Sequence, residues 1–444
     1  MKKLLYHIAI LVAVSVSFAA CEDEPTPMPE PGPMPDTTAT PIDTVVVTVV
    51  PYSGTLPVMY IVTDSNCAIT SKEEYVHANW WLDAKGTTGK GYESLGSARE
   101  PLSMLIKGRG NSTWTMQDKK PYRLKFDEKH NILGLPSNRH FVLMANATYW
   151  MGQMNDAVPF EISRRMGMYA PRMRPVEVVL NGDYIGLYFL VEKVRVGKNR
   201  VNIVEQNDLE TDSLLITGGW LIEIENYGNE AIFKFDEGNG EPFWVTSHTP
   251  EALSQQQYDY MYNFLREADS LIYLPDKTSR EWENYIDIDS LAVYYIVQEV
   301  VDNSEAFSGS CYMHKQRGYG TKLIFGPLWD CGSSFARWSQ NYAFNEFIYE
   351  NLPDYCRCRW IGEIVKFPHF MERVRYHWKR FYNKVYPAMD AYMDMLGASI
   401  EQAGNCDHKR WPQNPFDDIC HRINTFYKPS FHKKVEWLNN QWGR

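Results

Sequence analysis

The stretch Lys107-Gly108-Arg109-Gly110-Asn111-Ser112-Thr113-Trp114, followed by Lys119-Lys120-Pro121-Tyr122-Arg123-Leu124-Lys125-Phe126, decides how this chain is read. Strand-like runs, Leu102 to Lys107 and Tyr122 to Phe126, flank a glycine-rich loop. Glycines let the backbone come close to an anion, so Arg109, Gly110, Asn111 and Ser112 are candidate phosphate-binding residues. A lysine on the following strand then supplies a point charge to the phosphates. Lys125 is the candidate for that role, with Lys107 and Lys120 competing for it. A Gly-Arg-Gly turn between two strands is also an ordinary hairpin, so the loop alone leaves both readings open.

Working outward, Val58 to Thr63 and His140 to Met144 read as further strands, and Thr44 to Val50 as an edge strand. Asn155 to Met166 carries Ala157, Val158, Phe160, Ile162 and Met166 at helical spacing, and Gly167 stops it. Arg174 to Leu180 and Tyr184 to Glu192 are joined by Asn181-Gly182, the strongest short-range hairpin signal. Gly219 to Glu225 and Ala231 to Phe235 read as another strand pair. Beyond residue 250 the pattern turns helical: Leu253 to Leu271, Ile288 to Val301, Pro368 to Leu396 and a tail from Asp418, with a short strand at Lys322 to Phe325. The predicted fold is α+β in two lobes, a β-rich one over 44–205 and a mostly helical one over 206–444.

The N-terminus reads as a targeting signal. Lys2 and Lys3 precede an apolar run from Leu4 to Phe18, and Phe18-Ala19-Ala20-Cys21 is a small-residue cleavage site ending in cysteine. The run is shorter than the roughly 20 residues a membrane-spanning helix needs. It resembles a bacterial lipoprotein signal over 1–21 with Cys21 lipidated; plain secretion is the alternative. Glu22 to Asp43 is rich in Pro, Thr and acids, with little to bury, and reads as a disordered tether. Glu22-Asp23-Glu24 resembles the export signal of Bacteroidetes surface lipoproteins. The predicted location is therefore extracytoplasmic, anchored to the outer membrane by lipid alone, on its periplasmic or outer face.

The net charge of −10 argues against a nucleic-acid partner. Aromatic residues make up 14% of the chain, which allows glycan contact as well as core packing. Of the cysteines other than Cys21, Cys406 with Cys420 and Cys311 with Cys331 are candidate disulfides. Cys356-Arg357-Cys358 lacks the second Cys/His pair that a zinc site needs, so no metal is expected at the cysteines.

Several stretches taken together resemble the spore coat protein H (CotH) kinase family. They are Lys107 to Trp114, Lys119 to Phe126, the hairpin ending in Leu190-Val191-Glu192-Lys193-Val194, Asn199 to Ile203, Gly218 to Ile224, and Phe325-Gly326-Pro327-Leu328-Trp329-Asp330. They occur in family order over about Val58 to Asn341. The resemblance implies an atypical protein-kinase-like fold. It also implies transfer of phosphate from ATP, with Mg²⁺ or Mn²⁺, to Ser/Thr-type hydroxyls of a secreted or surface protein. Glu161 would pair with the phosphate lysine, and Glu192 to Val194 would meet the adenine. Glu305 would be the catalytic acid, with Asp302 as substitute, and Asp330 and Ser310 would hold metal.

The chain departs from the family at four of these places. Glu305 stands where the family has Asp, Ser310 where it has Asn, Gly332 where a second Asp is common, and Met154 where Arg is common. Glutamate sets its carboxylate one methylene further out, and about 1 Å of misplacement costs roughly 10²-fold in rate. A catalytically weakened pseudokinase acting as an adhesin-like surface protein is therefore the alternative. A carbohydrate-active protein using paired acids and aromatics such as Trp80 and Trp81 is a third reading.

Overall fold

A computed structural model of the chain describes residues 52–87, 91–147, 152–226, 231–235, 243–335, 344–353, 356, 358–413 and 418–443. Cys21, the tether and the edge strand expected at Thr44 to Val50 lie outside these residues. The chain from Thr48 to Arg444 forms one compact unit. It is mixed α+β, with a β-rich N-terminal half and a helical C-terminal half.

The first half is a closed barrel. Its strands are β1 (Val58–Thr63), β2 (Val76–Asp83), β3 (Leu102–Gly108), β4 (Tyr122–Ile132), β5 (Leu135–Met144), β6 (Met173–Leu180) and β7 (Asp183–Glu192), in the order β1-β2-β3-β4-β5-β7-β6. A parallel β1–β6 pairing closes it. Strand alternation sends Trp80, Met104, Ile106, Leu124, Phe126, Phe141 and Leu143 into the barrel core. The same alternation sends Lys107, Arg123 and Lys125 outward, with Lys107 opposite Arg123 and Lys125 opposite His140. Asn181 and Gly182 both take positive φ, as the β6–β7 hairpin requires. Trp80 lies in the barrel core, while Trp81 is half-buried and stacks on Tyr60 at 5.0 Å, so the two rings lie on opposite faces of β2.

The glycine loop is more than a hairpin turn, because α1 (Ser112–Met116) follows it before β4 begins. Gly108 has no room for a side chain: a Cβ there would lie 2.5 Å from the Trp114 ring. The helix α2 (Gln153–Arg165) then leads into β6.

A second sheet follows, of β8 (Trp220–Glu225), β9 (Phe233–Phe235), β10 (Phe243–Thr249), β11 (Cys311–Lys315) and β12 (Leu323–Phe325), in the order β12-β11-β8-β10-β9. The expected pairing of 219–225 with 231–235 is therefore corrected. β10, which lacks an obvious sequence signal, inserts between them and pairs with both.

Between and after these strands come α3 (Gln255–Ile272), started by a Ser254 capping box, and α4 (Ile288–Val300), buried almost all round. They are joined by α5 (Trp360–Ile364), α6 (Pro368–Arg380), α7 (Met389–Arg410), α8 (Ile419–Arg422) and α9 (Lys428–Trp442). The helix expected over Pro368 to Leu396 is broken by a π turn at Phe381–Val385 and a 3-10 turn containing Pro387. Among the described residues, no helix is long and apolar enough to cross a membrane.

One apolar core joins the outer face of the barrel (Val142, Met144, Phe189, Val191) to α2, α4, the second sheet and the C-terminal helices. A buried ion pair adds a polar fastening. Asp407 on α7 accepts the Leu187 N–H at 2.9 Å and pairs with Lys119 at 2.8 Å. Gly186 makes room for that carboxylate, since a Cβ there would lie 2.0 Å from Asp407 Oδ1.

The described cysteines are all free, which corrects both proposed disulfides. Cys311 hydrogen-bonds with Tyr294, Cys331 lies against the Trp329 carbonyl, and Cys420 faces Glu401, so each thiol has surroundings of its own.

Candidate active-site cleft

A cleft of about 980 Å³ opens between the barrel and the second sheet. Its barrel wall carries Lys72, Lys107, Arg109, Gly110, Asn111, Ser112 and Arg123. The facing wall carries carboxylates from four separate segments: Asp156, Glu223 with Glu225, Glu305 and Asp330. Ser310, Tyr312 and His248 stand beside them.

On the barrel wall, Gly110 takes φ +86, and a Cβ there would meet Thr113 Oγ1 at 2.1 Å, so the sharp turn needs glycine. Lys72 donates to Asn111 Oδ1 at 2.6 Å and ties the loop to the chain before β2. The Arg109 guanidinium sits over the Trp329 ring at 5.4 Å, next to Asp330 in sequence. Its charge acts on both Asp330 and Asp156.

The N-terminal turn of α2 clamps the acidic wall. Asn155 Nδ2 donates to the carbonyls of Gly332 and Ser334 at 2.7 and 2.6 Å, and its Oδ1 accepts from Tyr427 at 2.9 Å. Asp156 Oδ1 accepts the Cys331 N–H at 2.8 Å. Asp156 is buried, and burial, with repulsion from Asp330 next, pushes its carboxyl up to about 7. Asp330 itself stays open to water in the cleft. Its carboxyl is raised by the desolvating walls, drawn back by Arg109 and raised again by Glu305 and Glu223.

Glu223 behaves in the opposite way. Burial would raise its carboxyl, but His248 at 2.6 Å, with the hydroxyls of Tyr312 and Ser310, holds it below the usual range. Glu305 is half-buried and accepts the Ser333 hydroxyl. The backbones of Ser310 and Asp330 are left-handed, φ +53 in each, a conformation unfavourable for side-chain-bearing residues and enriched at functional sites.

The cleft brings together Arg109, Gly110, Asn111, Ser112, Glu305, Ser310 and Asp330 from the sequence-predicted set. It leaves out Lys125, Glu161, Glu192 and Asp302. Lys125 is exposed on the outer barrel surface beyond the cleft, while Lys107 and Arg123, one row along the sheet, line it. Glu161 pairs with Arg164 and Arg165, both at 2.7 Å and on its own helix, and not with Lys125.

Glu192 is fully buried. It is held by Arg172 at 3.2 Å and Arg200 at 3.9 Å and accepts the Arg172 N–H at 2.9 Å, so its carboxylate is engaged within the protein. Asp302 is buried beneath the loop, 3.5 Å from Lys434 of α9, which also lies 3.3 Å from Glu299.

Sequence reasoning missed Asp156, His248 and the role of Glu223. Glu223 lies in a stretch already singled out, and Asp156 in the first turn of a helix that was recognised. Nothing local marks His248.

A cleft with a glycine loop and cations on one side, and converging carboxylates on the other, has the charge layout of a phosphoryl-transfer site. The CotH kinase protein family matches residues 106–440, and the chain belongs to that family. The match begins just before the first of the resembling stretches, later than Val58, and runs on through the C-terminal helices to residue 440, well past Asn341. Membership points to an atypical kinase with ATP-dependent, generally metal-requiring phosphotransfer. No curated protein matches the sequence.

Proposed function

We propose that the chain is an ATP-dependent kinase that phosphorylates Ser/Thr-type hydroxyls of an extracytoplasmic protein. In this reading a kinase-like two-lobed arrangement sets the barrel over the second sheet and helices, and a lipid on Cys21 anchors the molecule to the outer membrane. The leader ending Phe18-Ala19-Ala20-Cys21 supports the anchor. The observation that carries the enzymatic reading is the juxtaposition of Asp156 and Asp330 across from Arg109. Asp330 raises the proton affinity of Asp156, and Glu305 and Glu223 raise that of Asp330; carboxylates crowded in this way are poorly matched to an empty cleft and well matched to a cation.

Among the described residues, no three acidic, histidine or cysteine side chains form a closed metal cage. Mg²⁺ does not require one, since it uses one or two carboxylates completed by substrate phosphates and water. Asp330 and Asp156 would hold the ion. When bound, it would neutralise charge on the phosphates.

The protein's own groups then divide the work. Arg109, Lys107 and Arg123 offset phosphate charge from the barrel wall, and the loop around Gly110 positions the phosphates. Glu305 accepts the proton of the acceptor hydroxyl as its oxygen bonds to the γ-phosphorus. The bond from that phosphorus to the β-bridging oxygen breaks, and ADP leaves with the electron pair.

The weakened-kinase reading keeps one observation in its favour. The Gly332 position presents only a carbonyl, already engaged by Asn155. Calorimetric titration of ATP with and without Mg²⁺, followed by an assay for labelled phosphate on added protein, separates the two. Mg²⁺-dependent binding lost in Asp330→Ala and Arg109→Ala, together with turnover, supports the kinase. Binding without turnover favours the pseudokinase, and no nucleotide binding rejects the kinase and leaves a surface-binding role on an inherited fold.

A further inference from the structure

The cationic wall of the cleft does not end at the cleft. On β3, β4 and β5, Lys107 pairs across with Arg123, and Lys125 pairs across with His140, in adjacent rows on the outer face of the barrel. Lys193 follows directly on the end of β7, beside β5, and Arg195 follows it. Of these residues, Lys107 and Arg123 line the cleft, and the others continue away from it.

These groups lie close enough to act on one another. Arg195 and Arg123 both press on Lys193, and burial followed by their charge lowers its ammonium to about 8. Burial, followed by Arg195 and Lys193, keeps His140 neutral, lowered to about 3. Among the described residues, no carboxylate forms an ion pair with Lys107, Arg123, Lys125, Lys193 or Arg195. Glu251 is the acid that faces Lys193, without pairing with it. Arg123 Nε and His140 Nδ1 are buried without a hydrogen-bond partner among the described residues.

This clustering runs against the composition. A chain of net charge −10 has acids to spare, yet among the described residues sets only Glu73 and Glu251 near this row: Lys107 donates to the Glu73 carbonyl at 3.0 Å, and neither carboxylate forms an ion pair with the row. Half-buried cations held together without counter-charges carry a repulsive cost that a polyanion relieves. A nucleotide in the cleft can reach Lys107 and Arg123; the part beyond the cleft is left for something longer.

We infer that Lys125, Lys193 and Arg195, continuing the row from Lys107 and Arg123, form a docking surface for an acidic stretch of the protein acceptor. This rests on the kinase reading and adds a substrate class to it: a hydroxyl residue flanked by Asp or Glu. Carboxylates on the row give charge-assisted contacts and steer the acceptor toward the cleft mouth. An extended peptide is the natural occupant, because the row runs across neighbouring strands rather than into a pocket.

The test needs no turnover. Fluorescence anisotropy would follow a labelled Glu-Ser repeat peptide, and a Gln-Ser peptide of equal length, on the whole protein. The Glu peptide should bind more tightly and weaken steeply with salt. Lys125→Glu with Arg195→Glu should reduce its affinity by roughly tenfold or more. Calorimetric ATP affinity should stay unchanged in the same double variant, which also reports that the cleft is folded. Lys125→Gln with Arg195→Gln should fall between the wild type and the reversal.

Equal binding of the two peptides, or no effect of the reversal, overturns the proposal. Loss of ATP affinity in step with peptide affinity overturns it as well, by assigning the row to the nucleotide. Tighter, competing binding of a single-stranded oligonucleotide overturns the acidic-protein assignment. None of these results depends on whether the cleft transfers phosphate, so failure of the docking surface is distinguishable from failure of the kinase reading.

Discussion

The two walls of the cleft are built in opposite ways. The barrel wall takes its cations from neighbouring strands and one loop, and they stand largely without counter-charges. The facing wall takes its acids from distant parts of the chain, and most are held by specific partners. Asp156 accepts from Cys331, Glu223 from His248 and Glu305 from Ser333. One wall is set by local register, the other by tertiary contacts between segments as far apart as Asn155 and Tyr427. Damage to distant helices should therefore disturb the acids before the cations.

The most severe break should come from α9. Lys434 is fully buried, donates to the Glu346 carbonyl at 2.5 Å, and lies beside Glu299 and Asp302. Lys434→Met leaves two buried acids without their cation, which should cost about 3–5 kcal/mol of stability. Chemical denaturation measures this directly. A loss under about 1 kcal/mol would mean that α9 does not support the segment leading to Glu305.

Next comes Asp330→Asn, which keeps shape and removes charge. If Asp330 holds the ion that screens the phosphates, phosphotransfer should fall by about 10²–10³-fold or more with little change in melting temperature. Activity within about threefold of wild type would remove Asp330 from the chemistry and shift attention to Glu223.

Asp156→Asn sharpens the comparison through pH. The folded carboxyl is raised to about 7, above its usual 3.8, so the folded state favours the protonated form. Asp156 is neutral in both states at low pH. As pH rises from about 4 to about 7, ionisation increasingly penalises the folded state. The asparagine variant should thus gain stability over wild type at pH 8 by on the order of 1–3 kcal/mol, and little at pH 4. Its amide can still accept from Cys331. A stability difference independent of pH would show that neither burial nor repulsion from Asp330 raises the carboxyl at this position.

The same contrast explains what could be read from sequence. The barrel strands and the Asn181-Gly182 hairpin announce themselves by period-two alternation and turn chemistry, which are local. So does the glycine loop, and with it Arg109 to Ser112. The order of the second sheet did not follow, because β10 enters between β8 and β9 with no distinctive pattern. Among the acids, Asp330 was legible only because its neighbours match a family motif. Asp156 was not, since one acid in a helix's first turn usually caps or faces water. Glu192, Glu161 and Asp302 carry the right chemistry, and sequence does not show which way a side chain points. Arg172, Arg164 and Lys434 engage them away from the cleft.

The smallest expected effect tests the boundary of the cationic wall. Lys125 and Arg123 are two residues apart on β4 and share its outer face, yet only Arg123 lines the cleft. Lys125 is exposed and one row further out, where water and salt screen its charge from anything bound near Arg109. Lys125→Ala should therefore leave ATP affinity within about twofold of wild type, a difference below roughly 0.5 kcal/mol. Arg123→Ala, one row nearer, should weaken ATP by about 1–2 kcal/mol, as expected for removing a charged contact to phosphate. The pair of titrations is decisive together. If Lys125→Ala were the more damaging, the phosphates would lie along the outer rows instead of under the glycine loop, and the division between nucleotide wall and acceptor surface would move outward by one row of the sheet.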